Sequence, residues 1–178
     1  MEYRHQEPRD SGAIEKLFVS VFTRSEGERE GALIGRLARD LLESMDRRDV
    51  FGFVAVDEKD IIGAIFFSRL TFDEPVDSFI LSPVAVATEH QGEGVGQELI
   101  THGLREMRRR GVRFVMTYGD PAFYSKVGFH PVSPARIKPP FTLSQPAGWL
   151  GQSLTGDAMD SIAGRCSCVQ ALADPVYW

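Results

Sequence analysis

Three glycines at alternate positions, Gly92, Gly94 and Gly96, follow the apolar run Val84–Ala87 and the polar stretch Thr88–Gln91, where the helical pattern Gln97–Arg110 begins. The start of a helix carries unpaired backbone N–H groups and the positive end of the helix dipole. Glycine there lets a large anion approach the main chain with no Cβ in the way. The chemistry this spacing predicts is a cradle for a phosphate or diphosphate, with donors on the backbone of Gln91, Gly92, Glu93, Gly94, Val95 and Gly96. A Walker loop would need Lys and then Ser or Thr after its last glycine, and Gln97 and Glu98 stand there instead. A dinucleotide fingerprint would need G-x-G-x-x-G with an acid about 20 residues on, where this chain has Val112, Phe114 and Met116. The alternative use of the same glycines is a tight strand-to-helix turn with no ligand.

A second motif follows, Phe123-Tyr124-Ser125-Lys126-Val127-Gly128-Phe129. Together, Gln91-Gly92-Glu93-Gly94-Val95-Gly96 and Tyr124–Phe129 resemble the acyl-CoA loop and the Y-x-x-x-G-F element of the GCN5-related N-acetyltransferase (GNAT) superfamily. Leu81-Ser82-Pro83-Val84-Ala85-Val86 resembles that family's fourth strand, and the matched block covers Ser78–Pro131. The resemblance implies acetyl-CoA as co-substrate and direct transfer of its acetyl group to an amine. It implies that backbone groups of Val84, Ala85 and Val86 pair with the pantetheine arm, and that an N–H in this stretch faces the thioester oxygen, where a fixed donor stabilises the oxyanion. It also gives Tyr124 the part of general acid toward the departing thiolate. A thiol has a reference pKa of about 8.5 and a phenol about 10, so the phenol keeps its proton at neutral pH. The plainer reading of Tyr124 is an aromatic that packs a short helix on the sheet, and Tyr118 is a second candidate acid.

The general base is not assigned. Many family members carry a Glu on the fourth strand, but Phe79, Ile80, Leu81 and Ser82 offer none. Asp120, Glu28, Glu30, His130 and a water chain are alternatives for the base; against them, Asp120 can cap the helix opened by Pro121, Glu28 and Glu30 suit a solvated first turn, and His130, which follows a strand start, suits a satisfied histidine. Where many members have Asn seven residues before the Tyr, this chain has Thr117. The stretches LSPVAV and GDPAFY and the tail ending Tyr177-Trp178 are similar to the YhbS-like group of bacterial acetyltransferases. A non-catalytic acyl-CoA-binding or sensing module and a nucleotide-binding protein of another class remain as alternatives. The acceptor is a small-molecule or peptide amine of open identity, and Arg24–Glu30 and Pro131–Asp160 are expected to wall its site. Arg108, Arg109 and Arg110 lie about 22 Å along the helix from the glycines and read as a solvated helix end that complements the dipole.

These groups need a scaffold. Tyr3–Glu7 suits a strand. Asp10 or Ser11 can cap a helix with the apolar face Ile14, Leu17, Phe18, Val21 and Phe22. After a polar break at Arg24–Arg29, Leu33, Ile34, Leu37, Leu41, Leu42 and Met45 mark a second helix. Val50–Val56 and Ile61–Phe72 form a hairpin around Asp57–Asp60, and Ser78–Ala87 is the next strand. Pro83 interrupts it and marks an edge or bulge; the resembled family has a bulge here, where its strands four and five part. Val95, Leu99, Ile100, Leu104 and Met107 form the stripe of the third helix, and Gly111 stops it. Val112–Tyr118 is a strand and Pro121–Lys126 a short helix closed by Gly128. Pro131–Asp160 shows no period, and Cys166–Leu172 reads as a last strand with Trp178 as an anchor. The expected fold is α/β (α+β): the GNAT fold, a mixed, mostly antiparallel sheet of about seven strands flanked by helices and splayed between strands four and five. One N-acetyltransferase domain spans residues 1–178, with a cofactor-binding core over 78–131 and a loop-rich extension over 132–178.

A chain of 178 residues can bury a substantial core. Its net charge of −5 argues against nucleic acid as partner. The polar N-terminus predicts no signal peptide, and no apolar run approaches the roughly 20 residues of a membrane helix. Cys166 and Cys168 are too close for an unstrained mutual disulfide, so a reducing, cytoplasmic setting is expected. The scattered histidines (His5, His90, His102, His130) predict no metal site. A homodimer is compatible with the sequence.

Overall fold

The computed structural model describes residues 1–44, 46 and 48–178. Its elements run β1 (Glu2–His5), α1 (Ser11–Glu26), α2 (Glu28–Glu43), β2 (Val50–Asp57), β3 (Asp60–Leu70), β4 (Ser78–Val86), α3 (Val95–Arg109), β5 (Phe114–Tyr118), α4 (Pro121–Tyr124), β6 (His130–Pro131), β7 (Ile137–Lys138), β8 (Trp149–Ser153) and β9 (Gly164–Arg165). Seven strands form one mixed sheet in the order β1-β2-β3-β4-β5-β8-β6, and β7 pairs with β9 separately. The chain divides into two compact units, Met1–Phe66 with Pro83–Gly103 and Phe67–Ser82 with Leu104–Trp178.

In the first unit β1 pairs antiparallel with β2 from Glu2↔Val56 to His5↔Phe53. The helix predicted after Asp10 is present, but the Asp10 carboxylate does not cap it. That carboxylate turns back to accept the Glu7 N–H (2.7 Å) and a two-pronged bond from Arg4 (2.7 and 3.1 Å). The Arg4 guanidinium holds Asp10 below the usual carboxylate range although burial opposes this. The polar break expected at Arg24–Arg29 narrows to one residue, Gly27, with φ +101°. The helices α1 and α2 therefore fold back on each other and meet at small residues. A Cβ on Gly31 would sit 1.9 Å from Thr23 Oγ1 and 2.8 Å from both Thr23 N and Val19 O; one on Gly35 would sit 2.3 Å from Val19 Cγ2. Ile14, Leu17, Phe18 and Val21 of α1 and Ile34, Leu37, Ala38 and Leu41 of α2 are buried, and Phe22, Leu33 and Leu42 are half-buried. Met45, the last position of the predicted stripe, lies outside the described residues.

The Gly31 contact sets a prediction. Alanine in place of glycine favours an isolated helix by about 1 kcal/mol, but the backbone atoms of α1 cannot rotate out of the way. Overpacking of this kind costs about 1–3 kcal/mol. We expect Gly31→Ala to lower the urea midpoint and Gly35→Ala, which meets only a side chain, to lower it less. A Gly31→Ala protein as stable as the parent would show that the helices do not cross this closely.

In the second unit β4 runs parallel to β5 from Ser78↔Phe114 to Leu81↔Thr117, and the register stops two residues before Pro83. The β8 strand lies antiparallel on the other side of β5, from Phe114↔Ser153 to Tyr118↔Trp149, and β6 pairs with β8. Residues 132–178 thus hold a central strand inside the stretch that showed no period. The expected final strand at Cys166–Leu172 is corrected. The chain makes β9 before it, a single bridge of Ser167 to Thr71 within it, and a 3-10 turn at Gln170–Leu172. One bridged residue with no continued partner cannot propagate a ladder. Trp178 is an anchor: it is buried, and its indole N–H donates to Leu172 O at 2.9 Å.

Candidate active site

The glycine loop belongs to the first unit. After β4 the chain makes a 3-10 turn at Thr88–His90, tied by Ala87 N–H to Ile62 O (2.8 Å) and His90 N–H to Ala87 O (2.9 Å). Gly92 and Gly94 both lie in the left-handed region, at φ +83° and +86°, and no heavy atom comes within 4 Å of a Cβ built on either. Their glycine identity answers to backbone conformation and open space rather than to crowding within the chain. The first main-chain bond of α3 runs from Glu98 N–H to Gly94 O at 3.0 Å, so the N–H groups of Val95, Gly96 and Gln97 open the helix ahead of it. The Gln91 side chain does not reach outward. Its Nε2 donates to Val86 O at 3.0 Å and ties the loop to the end of β4. Glu93 pairs with His90 Nδ1 at 3.1 Å. Val84 and Val86 are half-buried, and Ala85 between them is buried, as alternation along a strand requires.

Tyr124 belongs to the second unit. Asp120 caps α4, its Oδ1 accepting the Ala122 N–H at 2.9 Å, and Pro121 fills the first helical position. The cap makes a structural account of Asp120 sufficient. Gly128 closes the segment in the left-handed conformation, at φ +93°. The Tyr124 ring stands edge-on to Phe123 (5.0 Å) and Phe129 (5.8 Å). A Cβ on Gly119 would lie 2.6 Å from its Cε2, so the missing side chain makes room for the ring. Burial pushes the Tyr124 phenol up to about 12; a hydrogen bond to Thr117 works against the rise and the Asp120 charge adds to it. Thr117 is itself buried, and its hydroxyl donates to Leu81 O at 2.9 Å, where the β4–β5 register ends.

Sequence reasoning noted Thr117 only as a departure from Asn and missed its contact with Tyr124; the seven-residue interval was the available signal. Tyr118 is engaged elsewhere. Its hydroxyl accepts the Gln145 N–H (2.6 Å), lies 3.0 Å from Ser144 Oγ, and its ring stacks on Trp178. Glu28 is exposed and Glu30 half-buried in the first turn of α2, and His130 is exposed on β6. Arg109 and Arg110 both pair with Glu106, as a solvated helix end should. Among the described residues no group of three or more His, Cys, Asp or Glu side chains is placed to hold a metal, and no helix is long and apolar enough to cross a membrane.

The family described as Acetyltransferase (GNAT) domain matches residues 48–131. The Escherichia coli (strain K12) N-acetyltransferase YjhQ is 35% identical over 145 residues, 78% of this chain and 77% of that protein. The chain belongs to the GNAT family of N-acetyltransferases. This acetyltransferase is also 30% identical to Escherichia coli N-acetyltransferase YhbS, over 72% of its own length and 73% of the relative. The crystal structure of YhbS in complex with CoA superposes with a TM-score of 0.84 at 25% identity, covering 97% of this chain and 92% of that one. A Brucella melitensis GNAT acetyltransferase in complex with acetyl-CoA shares the fold at a TM-score of 0.73 and 24% identity, covering 96% and 97%.

Proposed function

We propose that this acetyltransferase takes its acetyl group from acetyl-CoA and passes it directly to a small-molecule or peptide amine. The observation that carries the reading is the pair of left-handed glycines, Gly92 and Gly94, open on the side where a Cβ would stand, at the start of α3. Backbone N–H groups from Gly92 to Gly96 form a fixed, dipole-assisted donor set for a diphosphate; the Gln91 N–H, expected to join them, already donates to Thr88 O at 3.3 Å. The YhbS structure in complex with CoA supports acetyl-CoA as the acetyl donor. The backbone of Val84, Ala85 and Val86 offers itself to the pantetheine arm, with one lone pair of the Val86 carbonyl already taken by Gln91. Acetyl-CoA supplies an activated acyl carbon. Tyr124 donates a hydrogen bond to the departing sulfur, and its proton passes to sulfur as the proton lost by the amine nitrogen replaces it on the phenol oxygen. An acyl-cysteine route has no support: burial pushes the Cys166 thiol up to about 12 and raises Cys168 as well, which disfavours the thiolates that such a route needs. Both thiols are free, which suits a reducing compartment such as the cytoplasm.

The test pairs CoA titration with a thiol-release assay over a panel of amines. We expect saturable binding, and thiol release that depends on at least one amine class. Tight CoA binding with no thiol released by any amine would favour a sensing module instead.

A further inference from the structure

We propose that this chain carries a second binding site, for an organic anion with an apolar flank, in the pocket between β7, β9 and the loop 139–146. The pocket has a volume of about 300 Å³ and is lined by Lys138, Arg165, Phe141, Thr142 and a set of proline and leucine side chains, with no carboxylate among the lining residues. That volume lies at the lower end of the ~300–1,000 Å³ of small-molecule sites.

Its charge is the first argument. The whole chain is acidic, at −5, yet this pocket holds two cations and no acid. They stand side by side, because β7 and β9 pair in parallel with Lys138 opposite Arg165. Like charges directly opposite on neighbouring strands repel. Among the described residues neither makes an ion pair within the chain, so a bound anion is the partner that would relieve the repulsion. Arg offers a planar fork to a carboxylate or phosphate and Lys a point charge beside it.

The walls are the second argument. Pro134, Pro139 and Pro146 fix the backbone around the opening. Trp149 Nε1 donates to Ile137 O at 2.9 Å, and Cys166 N–H to Lys138 O at 3.0 Å, so both cation-bearing strands are held. The loop is tied to the end of β5 by the Gln145–Tyr118 bond and by Gly119 N–H to Gly148 O at 3.0 Å. Phe141 supplies an aromatic face, and its ring lies 6.4 Å from that of Trp178. A ligand over Phe141 therefore alters the surroundings of an indole.

The probes are phenyl phosphate, phenylacetate, benzyl alcohol and inorganic phosphate, followed by tryptophan fluorescence and calorimetry. We expect saturable binding of the two aromatic anions that weakens with added salt, weaker binding of inorganic phosphate, and none of benzyl alcohol. Lys138→Gln and Arg165→Gln should each reduce affinity about tenfold, with CoA affinity unchanged. Two sources of the anion are separable. If it is part of the acceptor, the double variant raises KM for carboxylate-bearing amines alone; if it is a separate effector, the variant loses phenyl phosphate binding with KM unchanged for all amines. Absence of saturable binding, or binding that both Lys138→Gln and Arg165→Gln leave intact, would overturn the proposal.

Discussion

Replacing Tyr124 by phenylalanine lowers kcat about a hundredfold, near the lower end of the 10²–10⁴ that positioned acid–base groups contribute, while CoA affinity changes by less than about twofold. The size follows from the proton inventory. As the amine nitrogen bonds to the acyl carbon and the carbon–sulfur bond breaks, one proton must leave nitrogen and one must reach sulfur. Burial holds the Tyr124 phenol at about 12, well above the roughly 8.5 of a thiol. The phenol cannot simply give up its proton to a thiolate; the transfer completes only as the nitrogen's proton returns to the phenol oxygen. Its contribution is therefore a hydrogen bond that strengthens as charge gathers on sulfur, plus a relay. Phenylalanine keeps the edge-on contacts with Phe123 and Phe129, so the fold and the glycine loop are not disturbed. The raised pKa also fixes a pH signature. Tyr124 stays protonated across neutral and mildly alkaline pH, so kcat/KM climbs as the amine loses its proton and shows no descending limb from Tyr124 below pH about 10. The stability linked to this group is complete below the phenol's reference value of about 10 and is lost only as pH rises toward 12. Stopped turnover measured from pH 6 to 10 decides the point. A variant with undiminished kcat, or a descending limb below 10 that Tyr124→Phe removes, would take Tyr124 out of the chemistry or return its pKa to ordinary.

What the sequence disclosed divides along physical lines. Gly128 was legible because a left-handed φ at a helix end is a local demand, met by residue type at that position, and it adopts it; Gly111, read as a helix stop, and Gly92 and Gly94, read as an open approach to the main chain, adopt it too, whereas Gly96 lies inside α3. The capping carboxylate of Asp120 and Pro121 behind it are equally local. Asp10 was misread because its partner, Arg4, stands on a different element and outcompetes the helix N–H groups. The β8 strand was invisible because Trp149–Ser153 is only five residues long and carries Gly151. It is a strand because β5 and β6 flank it, not because of its own pattern. Gly151 itself is set by its neighbours, since a Cβ there would come within 2.8 Å of both Met159 and Met116 side chains. The site followed the same rule. Its two motifs were readable as strings, but the room for the Tyr124 ring depends on how a strand and a four-residue helix meet at Gly119, where a Cβ would lie 2.6 Å from the ring. The pairing of Lys138 with Arg165 rests on two-residue strands that have no period to detect.

The second large effect concerns the loop itself. The double variant Gly92→Ala/Gly94→Ala should lose CoA affinity by about a hundredfold while remaining folded. Each alanine must adopt a left-handed conformation that costs an L-residue about 1–2 kcal/mol, or the loop must leave it. Nothing in the chain lies within 4 Å of either added methyl, so the native fold bears only the conformational term, about 2–4 kcal/mol for the pair or roughly 4–16 °C in Tm. The ligand bears more: a methyl now occupies the side from which a diphosphate meets the backbone, and any relief of strain turns the N–H groups of Gly92–Gly96 away from a common focus. Two charge-assisted bonds lost at about 1.5–3 kcal/mol each are enough for the hundredfold. The decisive comparison is between CoA and pantetheine, which lacks the diphosphate. If the loop grips the diphosphate, the variant weakens CoA sharply and leaves pantetheine and turnover with acetylpantetheine almost unchanged. Equal losses for both ligands would place the damage in the strand Val84–Val86 instead, and undiminished CoA affinity would mean that the glycines serve only the turn.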